Sequence, residues 1–242
     1  ESKVKKGCTM RALVTGANGF IGANLVKCLL QQGHWVRAFV RETSDLRSLD
    51  GIEVEIPVGD ILEIDTLIKA AKGCDVIFHV AAFFSYTRHT LEELMKTATT
   101  GTINIVEAAK ERGVKRIVLT STSVIFGSTL DATPLDENKR VPEPDPAPYI
   151  ISKISQEKAG FSRAAALDID MIAVCPTICV GPLDYGPSES NAIIVSYLRD
   201  PFKATWPGGC NIVSVHDVVQ GHIIIAERGM PGEHYLLGSQ NL

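Results

Sequence analysis

The amino-acid sequence lacks the features that mark several functional classes. It contains no apolar run of about 18 residues, the length that a membrane-spanning helix requires. Its net charge of −4 gives no electrostatic support for binding a nucleic acid or an anionic membrane surface. Internal repeats and low-complexity tracts are absent as well. We therefore expect a cytoplasmic protein whose partner is a small molecule, with no nucleic acid and no membrane span.

The six cysteines do not have the spacings of a disulfide framework or a metal site. None belongs to a CxxC pair, and Cys175 and Cys179, four residues apart, have no other ligand cluster beside them. Reduced cytosolic thiols explain this pattern better than a disulfide-stapled secreted fold does. The sequence therefore predicts no metal site.

The length and the local composition indicate one domain. The chain has 242 residues, 45% of them hydrophobic, which is enough for a substantial core. Residues 1–9 are polar and basic, and we expect them to be a disordered arm or a tag remnant before Met10. The predicted domain therefore comprises residues 10–242.

A glycine-rich turn organises this domain. Residues 10–14 are apolar enough for a buried strand, and residues 23–30 have apolar side chains at helical spacing. A strand, a glycine turn and a helix in this order predict a dinucleotide site, with the pyrophosphate at the helix N-terminus. An ordinary glycine turn is the alternative. The candidate cofactor-binding residues in this stretch are Gly16, Asn18, Gly19, Phe20, Ile21 and Gly22.

Strands and helices alternate along the rest of the chain. Further strands are predicted at 35–40, 52–58, 75–82, 114–120, 169–175, 211–215 and 233–237. Further helices are predicted at 64–72, 90–112, 149–167, 191–199 and 216–227. This alternation is typical of an α/β fold with a doubly wound parallel sheet, the Rossmann fold.

The end of the second predicted strand discriminates between cofactors. An acidic residue there accepts from the ribose 2′-hydroxyl of NAD, whereas a cation there suits the 2′-phosphate of NADP. Arg41 stands at this position, with Thr43 and Ser44 as additional donors. The sequence therefore favours NADP(H) over NAD(H), the alternative being that Arg41 is a solvated surface arginine. Arg37, inside the strand, is either a second phosphate contact or a sheet-edge residue.

Two further strand ends are candidates for contacts with the cofactor. After residues 52–58, Asp60 can accept from the adenine amino group while Ile61 packs against the ring; Asp60 can also cap the next helix. After the following strand, the small residues Ala81 and Ala82 allow close approach to the backbone. His79, within that apolar strand, is interpreted as a core histidine rather than a catalyst.

Hydroxyl groups and a tyrosine–lysine pair follow. The strand at 114–120 is followed by three hydroxyl residues, Ser121, Thr122 and Ser123, which are candidates for hydrogen bonding to a substrate carbonyl. The alternative is that they are turn residues whose hydroxyl groups bond to their own backbone. Tyr149 and Lys153 are four residues apart at the start of a helix, so they share one face. A lysine ammonium there lowers the tyrosine pKa and holds a ribose.

The segment from Pro176 to Pro182 follows the strand at 169–175 and should pass the nicotinamide, which makes Pro176 and Ile178 candidate contacts. The substrate itself is not indicated by the sequence. The stretches Phe83–Tyr86 and Leu183–Ser190 are the expected lining of its site.

These motifs, in this order, resemble those of extended short-chain dehydrogenases/reductases, the NAD(P)-dependent epimerase/dehydratase superfamily. Within it, residues 36–41 are similar to dihydroflavonol reductases, and residues 79–82 and 232–238 to bacterial dihydroflavonol-reductase-like proteins, including hopanoid-associated sugar epimerases. The resemblance covers about residues 10–242. It implies the catalytic residues Thr122 (with Ser123 as the fallback), Tyr149 and Lys153.

The sequence departs from the family's pattern in two respects. The family has an asparagine in an NxxGT run on the long helix, and here Ala98 replaces it, which puts a water or proton-relay contact in doubt. Family members also carry a further C-terminal stretch that completes the substrate lobe, so we expect a small and incomplete lobe at about 181–212 and 228–242. A homodimer through the long helix and the helix after Tyr149 is also implied, although threonines make that face less apolar.

The resulting prediction is an NADP(H)-dependent oxidoreductase that reduces a carbonyl or oxidises a secondary alcohol with a Thr-Tyr-Lys triad. One alternative is a nucleotide-sugar epimerase or dehydratase with tightly bound NAD. The other is a non-catalytic NADP(H)-binding sensor.

Overall fold

The fold is taken from a computed structural model, which describes residues 9–82, 90–129, 131, 133–138, 147–186, 188–202 and 208–242. Its strands are β1 (Arg11–Thr15), β2 (Trp35–Phe39), β3 (Val76–His79), β4 (Arg116–Thr120), β5 (Asp170–Pro176), β6 (Ile178–Val180), β7 (Asn211–Ser214), β8 (His234–Leu237) and β9 (Gln240–Asn241). Its α-helices are α1 (Phe20–Gln31), α2 (Ile64–Ala70), α3 (Leu91–Arg112), α4 (Pro148–Leu167), α5 (Glu189–Arg199) and α6 (Val215–Arg228).

Six strands form one parallel sheet in the order β2-β1-β3-β4-β5-β8. Its strands are short apolar runs, as expected where helices cover both faces of a parallel sheet. The strand order reverses between β1 and β3. Ligands of open α/β sheets bind at such a point, outside the carboxyl ends of the strands. The predicted doubly wound parallel sheet is thereby confirmed.

Neighbouring residues of each strand enter two different cores because their side chains alternate between the faces of the sheet. Val14 packs in the core that α1 and α6 cover, with Leu25 and Val218. Leu13 packs in the core that α2, α3 and α4 cover, with Ile105 and Ile117. The sheet is therefore held from both sides, and its carboxyl edge is fixed in place.

A second, small sheet lies beside the carboxyl end of β5. It has the order β6-β7-β9, with β6 parallel and β9 antiparallel to β7. The sequence predicts β7 but neither β6 nor β9. Strands of three and two residues are too short to show an alternating pattern.

The structure overturns one local prediction and excludes one alternative. Residues 52–58 do not form a strand; only Glu55 and Val58 bridge to β2 and its end, and Pro57 between them has no N–H to donate. Asp60 is not the N-cap of α2, because Glu63 occupies that position. The Asp60 carboxylate instead accepts from the Leu62 N–H at 2.9 Å and closes a turn.

The threonine-rich middle of α3 does not interrupt the helix. Thr90 and Glu93 form a capping box at its start, and Gly113, with φ of 70°, ends it in the left-handed conformation. The Thr99 hydroxyl donates to the Met95 carbonyl within the helix. Packing against α2 and α4 therefore outweighs the weak intrinsic helix propensity of threonine.

Among the described residues there is neither a helix that could span a membrane nor a disulfide-bonded cysteine. None of the described helices is long and apolar enough to span a membrane. The five cysteines within the described ranges, Cys28, Cys74, Cys175, Cys179 and Cys210, are all free thiols.

His222 joins α6 to the sheet as a buried neutral group. Its Nε2 lies 2.8 Å from the Thr120 hydroxyl and its Nδ1 lies 2.8 Å from the Val218 carbonyl. Since a carbonyl only accepts, Nδ1 carries the proton and Nε2 accepts from the threonine. Burial lowers the pKa of His222 to about 4, and the hydrogen bond to Val218 opposes this only in part.

We predict that His222 makes the fold sensitive to acid. The unfolded state binds a proton at pKa about 6.5 and the folded state only near 4, so the free energy of unfolding falls as the pH falls between these values. Between pH 7 and 5 this group should account for about 2 kcal/mol. Because His79, whose pKa burial lowers to about 3, adds to the loss in both proteins, urea unfolding at the two pH values should show a loss in His222→Gln that is smaller than in the wild type by about this amount. An equal loss in both proteins would contradict the assignment.

Candidate active site

One cavity of about 530 Å³ opens at the carboxyl edge of the large sheet. Its walls come from the segments after β1, β2, β3, β4 and β5 and from the start of α4. The predicted catalytic residues and the main predicted cofactor contacts all line it: Gly16, Asn18, Gly19, Phe20, Ile21, Gly22, Arg41, Asp60, Ile61, Ala81, Ala82, Thr122, Tyr149, Lys153, Pro176 and Ile178. Ser123 lines it too, while Thr43 and Ser44 are not among the lining residues.

The glycines of the first turn are required by close backbone contacts. Gly16 has φ of +66°, and a Cβ atom there would lie 2.7 Å from the Cα atom of Ala81. A Cβ atom at Gly22 would lie 2.1 Å from the Gly16 carbonyl oxygen. Neither position can hold a side chain without a shift of the backbone. The two glycines therefore let α1 start directly over the end of β1.

The N-terminus of α1 faces this cavity with no side chain capping it. Its N-cap is Gly19, and no side-chain hydrogen bond is made there. The N–H groups of the first helical turn have no partners within a helix, and the helix dipole is positive at this end. Phe20, Ile21 and Gly22 of this turn line the cavity. The arrangement suits an anion such as a phosphate group.

Arg41 stands at the cavity wall after β2. Its backbone N–H donates to the Ser44 hydroxyl at 3.1 Å, so a tight turn fixes the backbone at this point. Arg37 is directed elsewhere: its guanidinium donates to the Ala70 and Lys72 carbonyls and pairs with Glu55. Of the two roles left open for Arg37, the structure supports the sheet-edge role.

Asp60 and Ile61 form the part of the cavity wall that follows the bridged residues Glu55 and Val58. The side chain of Ile61 packs against Gly101 of α3, where a Cβ atom would lie 2.6 Å from Ile61 Cδ1. The Asn104 amide donates to the Ile61 carbonyl at 3.0 Å. These contacts with α3 hold both residues in place at the cavity.

Hydroxyl groups line the cavity after β4. Thr122 has extended backbone and precedes a short 3-10 helix that begins at Ser123. The Ser121 side-chain oxygen is buried and has no hydrogen-bond partner among the described residues, so it is a further polar group available at this wall. Sequence reasoning placed Ser121 in the hydroxyl cluster but did not select it.

Tyr149 and Lys153 lie on the first turns of α4, which begins with Pro148. Both are buried, with exposed fractions of 4%. The Lys153 ammonium donates to the Thr120 carbonyl and to the Gln156 side-chain oxygen, each at 3.0 Å. Burial lowers the pKa of Lys153 to about 8, and the nearby Glu157 partly opposes this. The lysine is thus a cation held in a poorly solvated position.

His79 is a buried core residue, in agreement with its interpretation from the sequence. Its ring nitrogens lie 2.9 Å from the Thr15 hydroxyl and 3.0 Å from the Thr102 hydroxyl. Burial, reinforced by the charge of Lys153, lowers the pKa of His79 to about 3. The imidazole is therefore neutral.

Sequence reasoning missed Gln156, and it included Asp184 only as part of the expected lining Leu183–Ser190, without a role for its carboxylate. Gln156 lies three residues after Lys153, a spacing that brings two side chains together on a helix and could have been noticed. The Asp184 carboxylate lines the cavity and accepts from the Ser188 hydroxyl and the Asn191 amide at the start of α5. Only the short polar run around Asp184 and Ser188 hinted at this cap.

The predicted substrate lining is only partly described. Phe83–Tyr86 lie outside the described residues. Within Leu183–Ser190, Asp184, Gly186 and Ser188 line the cavity.

The sequence and the fold are similar to those of known proteins. The model of the NAD dependent epimerase/dehydratase family matches residues 12–238. A provisionally named dihydroflavonol 4-reductase of Synechocystis is 36% identical, over 95% of this chain and 68% of that protein. Cinnamoyl-CoA reductase 1 of Petunia hybrida is 31% identical, over 92% of this chain and 71% of that protein. The crystal structure of gox2253 superposes with a TM-score of 0.83 and 33% identity, covering 97% of this chain and 71% of that one.

The contact between Gly22 and Gly16 leads to a test of the turn. We predict that Gly22→Ala lowers the free energy of unfolding by about 1–3 kcal/mol, because the added methyl group must displace backbone. Gly186→Ala is the matched control, since a Cβ atom there meets nothing within 4 Å. Urea unfolding of both variants measures the effect. Equal stabilities would show that the turn tolerates a side chain.

Proposed function

The chain belongs to the NAD dependent epimerase/dehydratase family, and from that premise we propose that it is an NADP(H)-dependent oxidoreductase. Its reaction is the reduction of a carbonyl group or the oxidation of a secondary alcohol. The observation that carries this proposal is the single cavity that joins the glycine turn and Arg41 to Thr122, Tyr149 and Lys153. The relatives named above include reductases of dihydroflavonol and of cinnamoyl-CoA, which supports a reductase reaction.

The residues at the cavity fit a dinucleotide. The uncapped N-terminus of α1 offers N–H donors to a pyrophosphate, and the side-chain-free positions at Gly16 and Gly22 keep the backbone close. We propose that Asp60 and Ile61 hold the adenine end, and that Ala81, Ala82, Pro176 and Ile178 line the path to the nicotinamide. A bound nicotinamide cofactor supplies or accepts the hydride.

The polar groups at the far end of the cavity supply the proton chemistry. Tyr149 donates a proton to the carbonyl oxygen in reduction and accepts it back in oxidation. Lys153 favours the ionised tyrosine through its positive charge and offers a donor to a ribose hydroxyl. Thr122 orients the carbonyl oxygen by a hydrogen bond. General acid–base catalysis of this kind contributes about 10²–10⁴ in rate.

Arg41 is the basis for the cofactor preference. Of the described residues that follow β2, Arg41 lines the cavity and Glu42 does not. A guanidinium at this wall suits the 2′-phosphate of NADP. A nucleotide-sugar epimerase or dehydratase with tightly bound NAD is the second candidate. The family of the matching model favours that candidate, and Arg41 disfavours it.

The position of the small sheet β6-β7-β9 in the chain supports the prediction of a substrate lobe. Its strands β7 and β9 fall within the predicted lobe segments, about 181–212 and 228–242, or directly beside them. We propose that this sheet and α5 are the portion of a substrate lobe that this chain provides, on one domain spanning 10–242. We also propose that the protein forms a homodimer in which α3 and α4 make the contact between the two copies.

The cofactor preference is tested by comparing NADPH and NADH in thermal-shift titrations. NADPH should stabilise the wild type more than NADH does. Arg41→Ala should weaken NADPH binding about 10- to 100-fold, since a charged contact to the phosphate is lost, and should leave NADH unaffected. Arg228→Ala, exposed at the end of α6, is the matched control. Equal loss of both cofactors in Arg41→Ala would refute the assignment.

The catalytic assignment is tested on carbonyl compounds. The wild type should consume NADPH with a member of a panel of aromatic and aliphatic ketones and aldehydes. Tyr149→Phe should lower kcat about 10²–10⁴-fold while NADPH affinity is kept, because only the proton donor is lost. Tyr197→Phe is the control and should retain full activity, because Tyr197 is exposed and is not among the residues that line the cavity. Undiminished activity in Tyr149→Phe would remove this tyrosine from the mechanism.

A further inference from the structure

A row of buried polar side chains lies behind the cavity and runs from Lys153 to the start of the glycine turn. The Gln156 side-chain oxygen accepts from Lys153, and its Nε2 lies 3.0 Å from the Thr102 hydroxyl and 3.4 Å from His79 Nε2. The other His79 nitrogen lies 2.9 Å from the Thr15 hydroxyl, which also accepts from the Ala81 N–H at 3.3 Å. The row thus connects α4, α3, β3 and β1.

The groups of this row can be given donor and acceptor roles that agree with one another. His79 is neutral, so one of its nitrogens donates and the other accepts. If the Gln156 amide donates to Thr102, the Thr102 hydroxyl donates to His79 Nε2, and His79 Nδ1 donates to Thr15. Each hydrogen bond of the row then joins a donor to an acceptor. In this arrangement the amide nitrogen of Gln156 faces α3, and its oxygen can only face Lys153.

Lys153 depends on that oxygen. In the described part of the chain its ammonium makes two hydrogen bonds, to the Thr120 carbonyl and to Gln156. Its third donor remains for a group in the large cavity, which Lys153 lines. On the α3 side, Lys153 and Ala98 line the same small cavity of about 10 Å³, and the side chain of Ala98 is a methyl group that cannot accept a hydrogen bond. Gln156 is therefore the side-chain acceptor that holds the buried cation.

We propose that Gln156 is a positioning residue for Lys153, with its carboxamide oriented by the Thr102 and His79 side chains. Gln156 does not line the large cavity and acts only through the lysine. Its oxygen stabilises the charged form of Lys153 and fixes the direction of the remaining donor. The catalytic use of this contact rests on the proposed function, whereas the contact itself is a property of the folded chain.

The experiment measures the pKa of Lys153 directly, by NMR of protein with ¹³C-labelled lysine. The Lys153 signal is identified by its loss in Lys153→Arg. The other charged or titratable groups near Lys153, namely His79 on β3, Cys175 on β5, and Tyr149 and Glu157 on α4, stay unchanged in all variants. Binding of NADPH is measured on the same samples.

Gln156→Leu should lower the pKa of Lys153 by about 1 to 2 pH units, because an acceptor to the cation is lost. Gln156→Glu should raise it, because a carboxylate replaces the amide oxygen. Thr102→Val should lower it by less, since His79 still faces the amide. Thr99→Val is the matched control on α3: its hydroxyl bonds only within its own helix, so the pKa should not change.

A wild-type pKa in Gln156→Leu overturns the proposal, as does a shift in Thr99→Val equal to that in Thr102→Val. If Gln156→Leu does not fold, Gln156→Glu decides, and a pKa at or below the wild-type value overturns the proposal. Failure of the proposed function is separate: it appears as no binding of NADPH to the wild type, whatever the lysine titration shows.

Discussion

The structure depends on how closely two backbone segments approach at the end of β1. Gly16 lies against Ala81, and Gly22 of α1 lies over the Gly16 carbonyl, at distances that leave no room for side chains. This contact sets the start of α1 above the sheet, next to the point where the strand order reverses. The helix N-terminus, the end of β2 and the end of β3 then surround one cavity.

At the opposite end of the cavity, the governing constraint is the burial of charge. Lys153 is almost fully buried, and burial alone disfavours its ammonium. Carbonyl and amide oxygens compensate, and a neutral histidine avoids placing a second cation nearby. A polar row of this kind must be satisfied throughout, because an unpaired buried group costs more than the hydrogen bond gains. The row therefore holds the Lys153 ammonium against fixed oxygen acceptors.

Much of this architecture could be predicted from the sequence because its signals are local and periodic. Apolar runs predicted the six strands of the large sheet, and the glycine turn, Arg41 and the Tyr149–Lys153 spacing all proved to line one cavity. The errors have physical causes. Alternation in residues 52–58 suggested a strand that Pro57 limits to two bridges, and the very short β6 and β9 have no pattern of their own. The three-residue spacing from Lys153 to Gln156 is visible in the sequence, but the partners that orient the Gln156 amide, Thr102 on α3 and His79 on β3, lie far away in sequence and met it only in the folded chain.

The central claim is that this cavity holds NADP(H) in one orientation, with its phosphates at the glycine turn and its nicotinamide at Tyr149 and Lys153. The most direct measurement is a crystal structure of the protein grown with NADP⁺. The account predicts the pyrophosphate at the N-terminus of α1, the 2′-phosphate at Arg41, and the nicotinamide ribose at Lys153. A nucleotide bound outside this cavity, or one whose adenine lies at Tyr149, would contradict it.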